Sequence, residues 1–326
     1  MILRKYVART SAAVLATVCA LACIPASAQD NYPSKPINMV FGWGPGGFET
    51  SIRVLSDIMS EKLGQPLIFT SKAGGSGVIG ARYLFGAKPD GYTIGQMDTS
   101  TYLLKPHTMD VGFDPVKDTR DICGIYKYVH GYAVKADSPW KTHQDVIEWS
   151  RKNPGKFRYA VSGSGTAQHL AMKWISNKDQ VEWSEVPYKS GGEGALAVLG
   201  GHVEAVASGA MDIVNLARSG ELRLILGLGD SRWEAFPDVP NMAELGYGYY
   251  AQTYISVSAP KGLPDPIAAK LEAACKAAVE DPTFVRIARE NYFLVSYMPG
   301  KEFTEMWHSL IDSSKQAVIA AGLQKK

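Results

Sequence analysis

The sequence predicts an α/β protein of two similar lobes joined by two crossing segments. Three observations carry this reading. Short β-prone runs alternate with helical patterns along the chain, as in folds with largely parallel sheets. A strand, glycine loop and helix at 37–63 find a coarse echo at 157–176. Two apolar, β-prone runs, Ile122 to Val134 and Tyr254 to Ala259, stand where the chain would leave the first lobe and return to it.

The N-terminus reads as a secretory signal peptide over residues 1–28. Arg4, Lys5 and Arg9 form a basic start, Ser11 to Ile24 an apolar run, and Ala26-Ser27-Ala28 a small-residue cleavage site after Pro25. That run falls short of the roughly 20 residues that span a bilayer, and Ala20-Leu21-Ala22 before Cys23 is a poor lipidation motif. The whole chain carries 34 Lys and Arg against 32 Asp and Glu. Removing three basic residues leaves a balance of about −1, with no basic stripe for nucleic acid or a membrane surface. Only Cys123 and Cys275 remain after cleavage. A disulfide between them is permitted in an exported protein but not expected, because a fold of this size needs no staple.

The first strand, Ile37 to Phe41, enters the loop Gly42-Trp43-Gly44-Pro45-Gly46-Gly47-Phe48-Glu49-Thr50. A helix follows from about Ser51, with Ile52, Leu55, Met59 and Leu63 at near-helical spacing and Gly64 as its stop. Gln65 to Thr70 is a strand, Ala81 to Phe85 opens a short helix, and Pro89-Asp90-Gly91 turns the chain into the strand Tyr92 to Met97. Past the first crossing, a helix over His143 to Arg151 stops at Asn153-Pro154-Gly155. The strand Phe157 to Val161 then enters the second loop, Ser162-Gly163-Ser164-Gly165-Thr166-Ala167-Gln168-His169. Leu170, Trp174 and Ile175 mark the face of the next helix. Val186 to Lys189 is a short strand or hinge, Gly194 to Leu199 a helix, and Ala205 to Ala207 and Leu222 to Leu228 are buried strands. Helices over Pro266 to Val279 and Lys301 to Ala321 are expected to pack back on the first lobe. The divisions are therefore 29–131 with 256–326 for lobe 1, and 132–255 for lobe 2.

A helix that begins at a glycine loop aims unpaired N–H groups and a positive dipole end at whatever lies above it. Two such loops facing each other would clamp an anion such as a carboxylate, and the clamp needs no catalytic side chain. Other chemistries fit poorly. Gly75-Ser76-Gly77-Val78-Ile79-Gly80 matches a dinucleotide string, but it follows Ser71-Lys72-Ala73-Gly74 rather than the end of a strand. Neither Ser164 nor Ser76 sits in a nucleophile elbow. The six histidines form no ligand spacing for a metal, and no cofactor is expected. Glu49 and Arg53 stand four apart on one helix, which suits a surface ion pair or, alternatively, a carboxylate that shapes the loop. Phe48 and Trp43 are aromatics inside a glycine loop, and both are expected to line the cleft.

Many short segments together resemble the tripartite tricarboxylate transporter solute receptors, the Bug-type proteins. They run from Tyr32-Pro33-Ser34-Lys35-Pro36-Ile37 through Pro45-Gly46-Gly47, Leu63-Gly64-Gln65-Pro66 and Pro89-Asp90-Gly91-Tyr92-Thr93. Asp114-Pro115-Val116-Lys117-Asp118, Asn153-Pro154-Gly155-Lys156, Val186-Pro187-Tyr188-Lys189, Leu199-Gly200-Gly201, Pro237-Asp238-Val239-Pro240 and Ala259-Pro260-Lys261-Gly262 continue the series. The resemblance implies a two-lobed periplasmic binding protein of the Venus-flytrap, type II-like kind, with no enzymatic activity. It implies a monomer that captures a small carboxylate and passes it to membrane permease subunits. It also implies ligand contacts from Gly46, Gly47 and Phe48 and from Ser162, Ser164, Gly165, Thr166 and Ala167, with His169 as a structural histidine of the loop. Asp98, Thr99 and Glu193 are further expected walls of the cleft. The family loop usually places two residues between Pro-Gly-Gly and an acid, whereas here Phe48 alone separates Gly47 from Glu49. The shortened, aromatic loop suggests an apolar or aromatic body behind the carboxylate. A ligand sensor that docks to a signalling partner when closed would need the same clamp.

Overall fold

The computed structural model describes residues 31–325. The proposed signal peptide lies outside the described residues. Strand β1 (Ile37–Phe41) is followed by helix α1 (Gly47–Leu63), strand β2 (Leu67–Ser71), helix α2 (Val78–Phe85) and strand β3 (Thr93–Asp98). β1 pairs in parallel with β2 on one side and β3 on the other. α1 starts four residues earlier than its apolar spacing suggests, so Gly47, Phe48 and Glu49 form its first turn. It buries Ile52, Leu55, Ile58, Met59 and Leu63 on one face, each worth about 1.5–3 kcal/mol of burial when wholly removed from water. Gly64 ends it in the left-handed conformation at φ 67°, a backbone shape that glycine adopts without steric cost.

A π-helical turn over Ser100–Leu104 leads into the short helix α3 (Lys105–Thr108) and then strand β4 (Thr119–Lys135). The 17 residues of β4 cross from one sheet into the other. Beyond it come helix α4 (His143–Lys152), strand β5 (Phe157–Val161), helix α5 (Ala167–Lys178), strand β6 (Trp183–Pro187) and helix α6 (Gly191–Leu199). Strand β7 (Ala205–Gly209), helix α7 (Ala210–Arg218) and strand β8 (Leu222–Gly227) complete the second sheet. α4 begins at a reciprocal cap: Thr142 accepts from the Asp145 N–H, and the Asp145 carboxylate accepts from Thr142. β5 lies in parallel between β6 and β7, and the second half of β4 runs antiparallel to β7 and β8.

Strand β9 (Gln252–Pro260) returns between β3 and β4, antiparallel to both. Helices α8 (Asp265–Val279) and α9 (Pro282–Glu290), strand β10 (Phe293–Pro299) and helices α10 (Gly300–Ser309) and α11 (Ile311–Ala320) follow. The strand order is β2-β1-β3-β9-β4-β7-β5-β6, with β10 and β8 also on β4. The fold is thus α/β with a mixed sheet, and the two predicted crossings are β4 and β9.

Three features depart from the sequence reading. The single helix expected over Lys301 to Ala321 breaks at Leu310 into α10 and α11. α10 buries Phe303 and Trp307 beside β3-side residues such as Met97 and Tyr102, but α11 sends Val318 into the core of the second sheet, with Leu104 and Leu170. The third is a Cys123–Cys275 disulfide, with Cα atoms 6.6 Å apart. It joins the start of β4 to α8, two passes of chain separated by 152 residues but adjacent in one core.

Candidate functional site

Parallel strands deliver their carboxyl ends to one place, which is where α/β sheets bind ligands. β1, β5, β6 and β7 all end at an enclosed cavity between the two sheets. Trp43, Gly46 and Phe48 form one wall, and Tyr128 and His130, from β4, form the floor. The opposite wall is Ser190 and Gly191 at the start of α6, with Ser208, Met211 and Asp212 at the start of α7. Ser100, Ser162 and Gln168 close the remaining side. α1, α6 and α7 therefore all begin at this cavity, each adding unpaired N–H groups and a positive dipole end.

The walls meet closely. A Cβ on Gly47 would stand 2.8 Å from Cβ and Cγ of Met211, and one on Gly191 would collide with Ser208 and Asp212. The glycines here are requirements of approach between elements. Contacts between the loops of the two sheets hold the arrangement shut. The Gly44 N–H donates to the Lys189 carbonyl (3.2 Å), the Lys105 ammonium to the Ser164 carbonyl (2.5 Å), and the Ala167 N–H to the Ser100 hydroxyl (3.2 Å).

The polar groups of the cavity include serine hydroxyls, the Asp212 carboxyl and the His130 ring. Ser100, Ser162 and Ser190 accept bonds from the Ala167 N–H, the Gln168 amide and the Glu193 N–H, which leaves their own hydroxyl protons to give. The Ser208 hydroxyl is committed to Asp212 at 2.7 Å. Burial raises the Asp212 carboxyl above the usual range, although the Ser208 hydroxyl and the Gly47 N–H both favour its ionised form. Burial also holds His130 neutral, with a pKa of about 3. Its Nε2 meets the Thr253 hydroxyl at 2.7 Å, while Nδ1 has no partner among the described residues.

Of the residues expected from sequence, Trp43, Gly46, Phe48 and Ser162 line the cavity, and Gly47 stands beside it. Phe48 is half-buried and packs edge-on to Phe41, with ring centroids 5.1 Å apart. Asp98 lies behind this wall and accepts from the Trp43 indole (2.8 Å), the Gln96 amide (3.0 Å) and Thr101. It orients Trp43 without lining the cavity. Thr99 accepts from the Tyr254 N–H on another face. Glu49 pairs with Arg53 at 2.6 Å, the ion-pair alternative.

The second loop turns most of its groups inward on itself. The Gly165 N–H donates to His169 Nδ1 (2.8 Å) and the Thr166 hydroxyl to the Gly163 carbonyl (3.0 Å), while Ala167 is held by Ser100. The Ser164 hydroxyl donates to Glu185 at 2.6 Å, and the far side of His169 meets the same carboxylate. Burial opposes ionisation of Glu185, but hydrogen bonds from His169 and Ser164 bring it down to about 2. Ser164 thus donates to an ionised carboxylate, too weak a base to give the activation a nucleophile requires. Ser164 and Glu193 line a separate outer groove with Lys105 and Lys189, which touches the cavity at Trp43 and Ser162.

The sequence reading missed Ser100, Tyr128, His130, Ser190, Gly191, Ser208 and Asp212. A usable signal was present for three of these. Ser190-Gly191-Gly192 and Ser208-Gly209 repeat the strand, small residue and helix pattern of the two longer loops, in fewer glycines. Tyr128 and His130 carry no such mark, because they reach the site through the crossing strand.

This fold, with a cavity enclosed between two lobes and lined by helix starts, defines a periplasmic solute-binding protein. The sequence matches the tripartite tricarboxylate transporter family receptor over residues 51–323, and the chain belongs to that family. A Cupriavidus necator protein, "UPF0065 protein in gbd 5'region", is 36% identical over 324 residues, covering 99% of this chain and 98% of its own. Two solved structures superpose with a TM-score of 0.84. One, described as a periplasmic transporter, is 28% identical and aligned over 90% of this chain and 99% of its own. The periplasmic binding protein BugD is 25% identical, aligned over 90% of this chain and all of its own. The chain is a solute receptor rather than an enzyme.

Proposed function

We propose that the protein captures a small organic carboxylate in the cavity between its lobes and delivers it to the permease of a tripartite tricarboxylate-type transporter. The observation that carries this reading is the convergence of three helix starts and three free hydroxyl protons on one enclosed space. Such donors suit a carboxylate without a Lys or Arg, because N-terminal N–H groups and the dipole supply the favourable potential. Trp43, Phe48 and Tyr128 suit an apolar or aromatic body. Residues 29–131 with 256–326 and residues 132–255, with α11 seated on the second of these, act as the lobes that open and close, and the ligand favours closure through contacts with both.

A thermal-shift screen of mono- and dicarboxylates, with calorimetry on those that raise the melting temperature, tests the reading. A bound acid should lose affinity at least ten-fold in Ser100→Ala or Ser190→Ala. The reading fails if no carboxylate shifts the melt.

A further inference from the structure

We propose that Asp212 makes this receptor selective for small acids that carry an ammonium group, and against the corresponding plain mono- and dicarboxylates. This rests on the carboxylate reading above and names the class of acid within it. The cavity contains one carboxyl group, Asp212, and no Lys or Arg among its lining residues. One oxygen of that carboxyl accepts from Ser208, and the carboxyl stands at the start of α1, where a Cβ on Gly46 would lie 3.2 Å from its Oδ1. The protein's own carboxylate therefore already occupies part of the positive field that the helix starts create. A ligand dicarboxylate would put a second and a third negative charge beside Asp212 with no side-chain cation to offset them. A zwitterion brings its own offset: its carboxylate meets the hydroxyl protons of Ser100, Ser162 and Ser190, and its ammonium meets Asp212.

His130 is the second, independent sign of a ligand. It is 1% exposed, lies at the cavity floor, and has one ring nitrogen without a partner among the described residues. Buried polar atoms are seldom left unpaired, so this one is suited to a hydrogen bond from a bound polar molecule. A neutral imidazole serves a zwitterion without adding net charge.

The test is calorimetric titration of the full mature protein with matched pairs that differ only in the amino group: alanine and propionate, aspartate and succinate, glutamate and glutarate, phenylalanine and 3-phenylpropionate. The amino member of at least one pair should bind ten-fold or more tightly than its partner. Asp212→Asn, which keeps the shape and an acceptor oxygen for Ser208, should reduce that preference to within about three-fold and improve binding of the plain acid. The wild-type ratios stand without any variant, so a poorly folded Asp212→Asn does not shelter the proposal. Plain acids binding as tightly as their amino partners would overturn the role of Asp212 and leave the carboxylate reading intact. An amino preference that persists in a folded Asp212→Asn protein would likewise overturn it. Binding of neither member of any pair, with no carboxylate active in the melting screen, would overturn both.

Discussion

The disulfide that the sequence reading set aside gives the sharpest stability prediction. Cys123 and Cys275 are separated by 152 residues and both are fully buried. In the chain-entropy account, a cross-link closing a loop of that length lowers the entropy of the unfolded chain by an amount worth about 5 kcal/mol at 25 °C. The whole second sheet lies within that loop, so the bond restrains an unfolded chain at nearly half its length. Urea unfolding of oxidised protein and of protein held in a strong reductant isolates the cross-link, since both thiols remain in place. With a slope of about 3 kcal/mol per molar for a chain of this size, the midpoint should fall by roughly 1.5–2 M on reduction. Cys123→Ala/Cys275→Ala should fall further, by the packing lost with two buried sulfurs. Coincident curves for oxidised protein and for protein in which a thiol assay counts both cysteines as free would refute the loop-entropy reasoning.

Gly47→Ala is compatible with the helical backbone of α1, yet its methyl would stand 2.8 Å from Met211. Overpacking of this kind costs about 1–3 kcal/mol. It should appear as ligand affinity weakened roughly ten- to hundred-fold with an unchanged melting temperature of the ligand-free protein. Asp98→Ala strands the buried Trp43 indole N–H and two further donors. Unpaired buried donors cost about 1–3 kcal/mol each, so the melt should drop by several degrees, with Asp98→Asn less affected. His143 links the Tyr132 and Tyr247 hydroxyls, and burial lowers its pKa to about 4, against the pull of Asp179. An unfolded histidine takes up its proton near pH 6.5 and the folded one does not, so stability is lost as the pH falls from about 6.5 toward 4. His143→Gln should remove roughly 2–3 kcal/mol of that acid sensitivity in denaturant titrations at pH 7 and pH 4.5.

Periodicity made the framework readable. Short apolar runs mark β1 and β5, the Ile52-to-Leu63 spacing marks α1, and both crossings show as apolar, β-prone runs. The break at Leu310 was hidden because α10 and α11 share one continuous helical pattern, although Trp307 and Val318 go to different cores. The Cys123–Cys275 bond was illegible because its partners meet only through the tertiary return of the chain. For the site, glycine content marked both loops, and the structure lines the cavity with the first while turning most groups of the second inward on itself. Ser164, Thr166 and Ala167 look like free donors in sequence, but His169, Glu185 and Ser100 decide where those donors go. Asp212 escaped because a lone acid in an amphipathic helix resembles any solvated face until Gly46 and Gly191 are brought against it.

The place of β9 has a temporal consequence. It lies between β3 and β4, yet it leaves the ribosome more than 150 residues after β3 and more than 110 after β4. Until it emerges, both neighbours present open hydrogen-bonding edges, and the first sheet is two fragments with a missing plank. Every element of the second sheet is made during that interval. A nascent chain of this design cannot finish its first lobe before nearly all of it has been synthesised. That delay suits a polypeptide that must stay threadable until it has crossed a membrane, and it places the seal of the fold on the far side.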